Sequence, residues 1–144
     1  MNLKSIIKKV DDIIKCNPEF CIILGSGLNN FCDQLENKKS ISYKNINASM
    51  ESNIKGHAGE FVYGYLNNIP ILCASGRFHY YEGYTMDEVG VIIKLFNYYK
   101  PKLYIITNSS GTVRQDWEIG DFMLTERIMD FSFIKTNTAE YYTL

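Results

Sequence analysis

Two apolar runs, FCIIL at 20–24 and LYIIT at 103–107, constrain the fold of this chain more than any other feature. Both read as short buried strands, the kind covered on two faces in an α/β sheet. Each runs into a turn of small residues, GSG at 25–27 and NSSG at 108–111. Residues 61–66 and 69–74 read as two more strands, joined by a hairpin turn at Asn67-Asn68. Helical signals interleave with these strands. Ile6, Val10 and Ile13 share a stripe with Ile7 and Ile14, and Asn17-Pro18 is the expected stop. Thr85 and Glu88 fit a capping box ahead of an apolar face of Met86, Val89, Ile92, Ile93 and Phe96. A last strand is expected over 122–128. Residues 29–59 are polar and carry no clear period, and neither does the tail KTNTAEYYTL. This pattern predicts an α/β fold: a central mixed β-sheet flanked by helices, formed by one domain over residues 1–144.

In such sheets the ligand crevice lies beyond the carboxyl ends of the strands. GSG, the segment GRFHYYEGY at 76–84 and NSSG would then face one crevice. Composition narrows what that crevice holds. Net charge is −1 and the lysines are scattered, so no basic face offers itself to nucleic acid. No apolar run approaches a membrane span, and the N-terminus lacks the apolar centre of a signal peptide. The four cysteines form no CxxC pair and read as reduced structural thiols, consistent with a cytoplasmic protein.

Gly25-Ser26-Gly27 is either a tight turn or a nest of backbone donors for an anion. Asn30 occupies the third glycine position of a dinucleotide fingerprint, and no Gly-Lys-Ser/Thr follows as in a P-loop. Arg77 and His79 project to one side if their segment is extended. A guanidinium fork beside an imidazole suits phosphate or carboxylate, since Arg cannot ligate a metal. The competing reading is a surface arginine beside an unrelated histidine. His57, between glycines in GHAG, reads as a loop residue, and the cysteines do not complete a zinc set with the two histidines. Tyr80, Tyr81 and Tyr84 either cover a sugar or base or pack half-buried with wet hydroxyls. Asn108-Ser109-Ser110-Gly111 is a second donor loop or a plain turn. Convergence of three such loops favours an anion pocket, most simply one for phosphate.

ILGSGL at 23–28, GHAGEFVYGYL at 56–66, GRFHYYEGY at 76–84, TNSSG at 107–111 and EIGDFML at 118–124 occur in that order. Together they resemble the trimeric, low-molecular-mass class of purine nucleoside phosphorylases over roughly residues 20–130. The resemblance implies a nucleoside phosphorylase-like fold in truncated form, with a diverged tail at 131–144. It implies phosphorolysis of purine (deoxy)ribonucleosides to free purine and (deoxy)ribose 1-phosphate in purine salvage. Inorganic phosphate would be the co-substrate, with no cofactor and no metal. It assigns Ser26, His57, Arg77, Phe78, His79 and Ser109 to phosphate, with His79 also catalytic, and Tyr81 and Asn108 to the ribose. Expected partners are a purine nucleoside and phosphate, together with copies of the chain in a homo-oligomer or a complementing second chain. Departures from the pattern are Asn29 for the last glycine of GSGLG, and Ser109, Ser110 and Thr112 in the turn after the fourth strand. Family members run to about twice this length and place purine recognition in their second half. The alternative is therefore a catalytically impaired or inactive homologue that binds phosphate or nucleoside, or needs a second chain to complete its site.

Overall fold

A computed structural model of the chain describes residues 2–47, 50 and 59–128. It divides into two compact units, residues 1–109 and 110–144. The first unit opens with α1 (Leu3–Asp11) and β1 (Phe20–Leu24), then a 3-10 helix over Asn29–Gln34. β2 (Glu36–Ser42), α2 (Tyr43–Ile46), β3 (Glu60–Leu66) and β4 (Ile69–Ser75) follow. A 3-10 turn at Tyr80–Glu82, α3 (Met86–Val89), α4 (Val91–Tyr99) and β5 (Leu103–Ile106) complete it. The strands form one sheet in the order β2-β3-β4-β1-β5. β2, β3 and β4 are antiparallel neighbours, whereas β1 runs parallel to both β4 and β5. The sheet is therefore mixed, as the sequence predicts. Among the described residues no helix is long and apolar enough to cross a membrane.

Strand alternation sorts the core into two layers. Cys21, Ile23, Phe61, Tyr63, Leu72 and Ala74 face α1 and α4, packing on Ile6, Val10, Leu95 and Phe96. Ile22, Leu24, Val62, Ile71 and Cys73 face the other way, onto Cys32 and Leu35. The hairpin closes at Asn67-Asn68, whose φ values of +50° and +64° are those of a type I′ turn. Asparagine tolerates that left-handed geometry better than most residues. Tyr99 on α4 donates from its hydroxyl to Asp11 of α1 at 2.8 Å, tying the two helices at their ends.

Several expectations change. α1 stops at Asp11, six residues short of Asn17-Pro18, because Asp11-Asp12 places two acids at the negative end of the helix dipole. Ile13 still reaches the core, from a turn held by its N–H to the Val10 carbonyl. The unassigned polar stretch contains β2, which is polar because it forms the wet edge of the sheet. The helix expected after Thr85 is divided at Gly90, and Met86 is exposed instead of joining the apolar face. β5 is exposed on both faces, where the sequence predicts burial. No strand forms over 122–128, since a strand exists only where its amides find a neighbour. In the second unit residues 110–128 are held by local contacts instead. Arg114 grips Asp116 through Nε and Nη2 at 3.1 and 2.7 Å and lies 5.5 Å above the Trp117 ring.

Three of the four cysteines, Cys21, Cys32 and Cys73, lie in the core. Burial pushes the Cys21 thiol up to about 12 from 9.0. Tyr99 shifts in the same direction, again mainly by burial. The folded state keeps a Cys21 proton that the unfolded chain releases, so this contribution is intact below pH 9 and is lost as pH climbs toward 12. Thermal melts should therefore show a falling midpoint above pH 9, and Cys21→Ala should flatten the slope. An unchanged slope in that variant would reject the assignment.

Candidate functional site

Because β4, β1 and β5 are parallel and adjacent, their carboxyl ends lie at one end of the sheet. GSG leaves β1, GRFH leaves β4 and NSSG leaves β5 there, so the three loops start from the same end of the sheet. Side-chain bonds tie the strand ends together. Thr107 Oγ1 accepts from the Gly25 N–H at 2.8 Å and donates to the Ile23 carbonyl at 3.0 Å. Ser75, buried at the end of β4, donates to Asn29 Oδ1 at 3.0 Å and joins the segment after GSG to the strand beside it.

The glycines of GSG serve different needs. A Cβ on Gly25 would sit 2.7 Å from the Thr107 carbonyl oxygen and 2.9 Å from Asn108 Cα. Gly27 has open space around it but a φ of +87°, a conformation that L side chains rarely adopt. Ser26 stands between them, exposed. Asn108 and Ser109 are exposed in the neighbouring loop, where Asn108 Nδ2 donates to the Ser109 carbonyl at 3.4 Å.

Arg77 and His79 are half-buried and come together as the sequence predicts. Arg77 donates from Nε to His79 Nε2 at 3.2 Å. With Nε2 accepting, the ring proton resides on Nδ1, which faces Glu82 Oε2 at 2.8 Å. The same carboxylate oxygen accepts the His79 backbone N–H at 3.0 Å. The His79 and Glu82 side chains are only 18% and 9% exposed, so solvent screens this contact weakly. Tyr81 stacks on the imidazole at 4.8 Å between centroids, with 21° between planes. Tyr81 as a whole is 75% exposed.

Phe78 differs from its expected role in one respect. Its side chain is in the core, 5.3 Å from the Tyr43 ring and 5.0 Å from Tyr84 between centroids, leaving only its backbone for a ligand. Alternation explains the difference, since neighbours of two outward residues on an extended segment point inward. His57 lies outside the described residues.

Four residues not singled out in the sequence support this geometry: Tyr43, Ser75, Glu82 and Thr107. Tyr43 is fully buried and donates to the Gly76 carbonyl at 2.8 Å, fixing the start of the Arg77 segment from beneath. Burial pushes its phenol well above the ordinary range, so it stays a donor. The Glu82 signal was legible, because an acid three residues after His79 can fold back on it. Tyr43, thirty-four residues upstream of Arg77, gave none. Tyr43→Phe keeps the ring and orphans the Gly76 carbonyl. It should cost about 1–3 kcal/mol of stability in denaturant titrations, and no loss at all would remove Tyr43 from this role.

The phosphorylase superfamily model matches residues 19–142, most of the chain. The chain belongs to the phosphorylase superfamily. Its curated relatives in that superfamily include purine nucleoside phosphorylase 1 of Bacillus subtilis, 34% identical over 94% of this chain and 51% of the relative. Purine nucleoside phosphorylase 1 of Geobacillus stearothermophilus is 38% identical over 75% of this chain and 39% of its own length. Among solved structures, isoform 2 of the Schistosoma mansoni purine nucleoside phosphorylase, in complex with cytosine and ribose-1-phosphate, superposes with a TM-score of 0.71. It is 29% identical and is matched over 83% of this chain and 42% of its own. The sheet and helices are thus those of the nucleoside phosphorylase fold, and the chain spans about half the length of the superfamily relatives it matches.

Proposed function

We propose that this chain carries the phosphate-binding part of a site for phosphorolysis of purine (deoxy)ribonucleosides. The observation that supports the reading is that Arg77 and His79, paired at 3.2 Å, follow β4, whose carboxyl end lies at the same end of the sheet as those of β1 and β5, from which GSG and NSSG leave. Ser26 and the Ser109 backbone amide face phosphate oxygens, and Arg77 supplies fixed charged donors. His79, oriented by Glu82, is the catalytic imidazole at that anion. Phe78 contributes its backbone only, and the family resemblance assigns His57 to phosphate as well. Tyr81 and Asn108 lie toward the ribose.

The reaction transfers one bond. A phosphate oxygen attacks the anomeric carbon, the bond from that carbon to the purine nitrogen breaks, and its electron pair leaves with the base, which takes up a proton. Positive charge develops on the sugar as the bond breaks, so a held phosphate dianion acts as nucleophile and as counter-charge. Phosphate is a co-substrate here, with no metal or organic cofactor, and the setting is purine salvage in the cytoplasm. The active assembly is a homo-oligomer, the trimer of the resembled class, or a pairing with a second chain.

A second reading has its own support: the chain spans about half the length of its relatives. On that reading the lone chain binds phosphate or nucleoside without turnover. Phosphorolysis of inosine and guanosine by the purified chain, with phosphate and without it, separates the two. Phosphate-dependent release of free base supports the first. Calorimetric uptake of phosphate without release supports the second. Absence of both rejects the site.

A further inference from the structure

β4 and the 3-10 helix over Asn29–Gln34 meet along a seam with two rungs. Three residues complete a turn of 3-10 helix, so Asn29 and Cys32 lie on one side of it. Strand residues two apart share a face, so Cys73 and Ser75 lie on one face of β4. The first rung is polar: Ser75 donates to Asn29 Oδ1 at 3.0 Å. The second is a pair of thiols, Cys32 and Cys73, which belong to the same core layer and share a side-chain hydrogen bond. The other two cysteines lie elsewhere. Cys21 is on the opposite face of the sheet, in the layer that packs on α1 and α4. Cys16 is exposed, with its Sγ 3.2 Å from the hydroxyl of Tyr63, a member of that opposite layer.

The two thiols of the pair are not alike. Cys73 has no exposed surface, whereas Cys32 is 8% exposed. Among the described residues, Cys32 lines a cavity of about 330 Å³ together with Asn29, Asp33, Lys38, Glu60 and Ser75. A space of that size with polar walls admits water and solutes little larger than water. The hydrogen bond also sorts the protons. Cys73 donates it, which holds the Cys32 thiol below its ordinary range against the opposing effect of burial. The same bond, reinforced by burial, pushes the Cys73 thiol up and keeps it protonated. The thiolate is the reactive form of cysteine, so the member of the pair that meets the cavity is also the better nucleophile.

We propose that Cys32 and Cys73 are a hydroperoxide-sensitive pair, oxidised in the folded chain to a reversible disulfide between the 3-10 helix and β4. The Cys32 sulfur attacks one peroxide oxygen and the O–O bond breaks. The departing oxygen takes up the proton that Cys32 gave up and leaves as water, and Cys32 becomes a sulfenic acid. The Cys73 sulfur then attacks the Cys32 sulfur and the S–O bond breaks. The hydroxyl leaves with the Cys73 proton as a second water. The two thiols lose two electrons and the peroxide gains two. A covalent rung then replaces the hydrogen bond and ties the segment after GSG to the strand that leads into Arg77. The proposal does not rest on the functional reading above, because the state of the thiols is read without phosphate or nucleoside.

The test treats the folded, reduced chain with hydrogen peroxide, in a Cys16→Ser background that removes the exposed thiol. Peptide mapping before and after dithiothreitol reads the product, and near-ultraviolet circular dichroism checks that the chain stays folded during the reaction. The expected product is a Cys32–Cys73 disulfide that dithiothreitol reverses, with Cys21 still reduced. Cys73→Ala removes the second thiol, so dimedone should trap a sulfenic acid on Cys32. Cys32→Ala should slow the oxidation of Cys73 by about tenfold or more, since Cys73 is then a protonated thiol with no exposed surface. If either alanine variant fails to fold, mapping of the parent chain decides alone. Retention of both thiols in the folded, peroxide-treated chain overturns the proposal. So does a disulfide that includes Cys21, or a dimedone adduct that forms on Cys73 in Cys32→Ala as fast as on Cys32 in Cys73→Ala.

Discussion

Arg77→Ala should weaken phosphate binding by about two orders of magnitude while the fold survives. A charge-assisted hydrogen bond contributes roughly 1.5–3 kcal/mol, and a guanidinium fork offers two in parallel. Each 1.4 kcal/mol is about tenfold in affinity, so loss of the fork corresponds to about 100-fold at the lower end of that range. The side chain is half-buried and does not belong to either core cluster, so the melting midpoint should move little. Alanine also removes the donor to His79 Nε2, leaving Glu82 to hold the imidazole. Arg77→Lys separates charge from geometry. A lysine restores a point charge but not the planar fork, so recovery should be partial. Phosphate titrations followed by calorimetry decide the matter. Equal affinities in wild type and Arg77→Ala would mean that the anion, if bound, sits elsewhere.

Gly25→Ala should be the more damaging change to the fold. The added methyl would meet the Thr107 carbonyl oxygen at 2.7 Å and Asn108 Cα at 2.9 Å, both backbone atoms with no rotamer to turn away. Relief requires the end of β1 to separate from the end of β5. That movement breaks the Gly25 N–H bond to Thr107 Oγ1 and spreads the two loops that face the proposed phosphate site. Overpacking costs about 1–3 kcal/mol and the lost hydrogen bond about 1 more. For a unit of this size each 1 kcal/mol lowers the midpoint by roughly 4–8 °C, so a fall of about 10–30 °C is expected. Gly27→Ala is the control, because it has open space and only an unfavourable φ of +87°. It should cost about 1 kcal/mol. Equal midpoints for the two variants would show that close approach at Gly25 is not what holds the loops together.

The contrast between these glycines shows where sequence reading ends. GSG announced a turn, but not that Gly25 is needed for contact and Gly27 for conformation. The first requirement comes from Thr107 and Asn108, some eighty residues away, whereas the second lies in the backbone conformation of Gly27 itself. Likewise, the apolar run LYIIT correctly announced a strand. Its composition predicts burial, yet exposure depends on which neighbours exist, and among the described residues β5 pairs with one strand. The strand expected at 122–128 fails for the same reason. β2 was missed from the opposite direction, since an edge strand with polar side chains leaves no apolar period to detect.

By itself the sequence determined the elements whose causes are local. These include β1 over Phe20–Leu24, the turn at Asn67-Asn68, the capping box at Thr85 and the order of the loop motifs. Short-range sterics, capping bonds and hydrophobic periodicity act within a few residues and can be read from them. Tertiary structure alone decided that Tyr43 holds the Gly76 carbonyl, that Thr107 joins β1 to β5, and that Phe78 turns into the core. Those outcomes depend on packing between segments distant in the chain, where the partner of a donor or ring is fixed by the position of the whole sheet and not by adjacent residues.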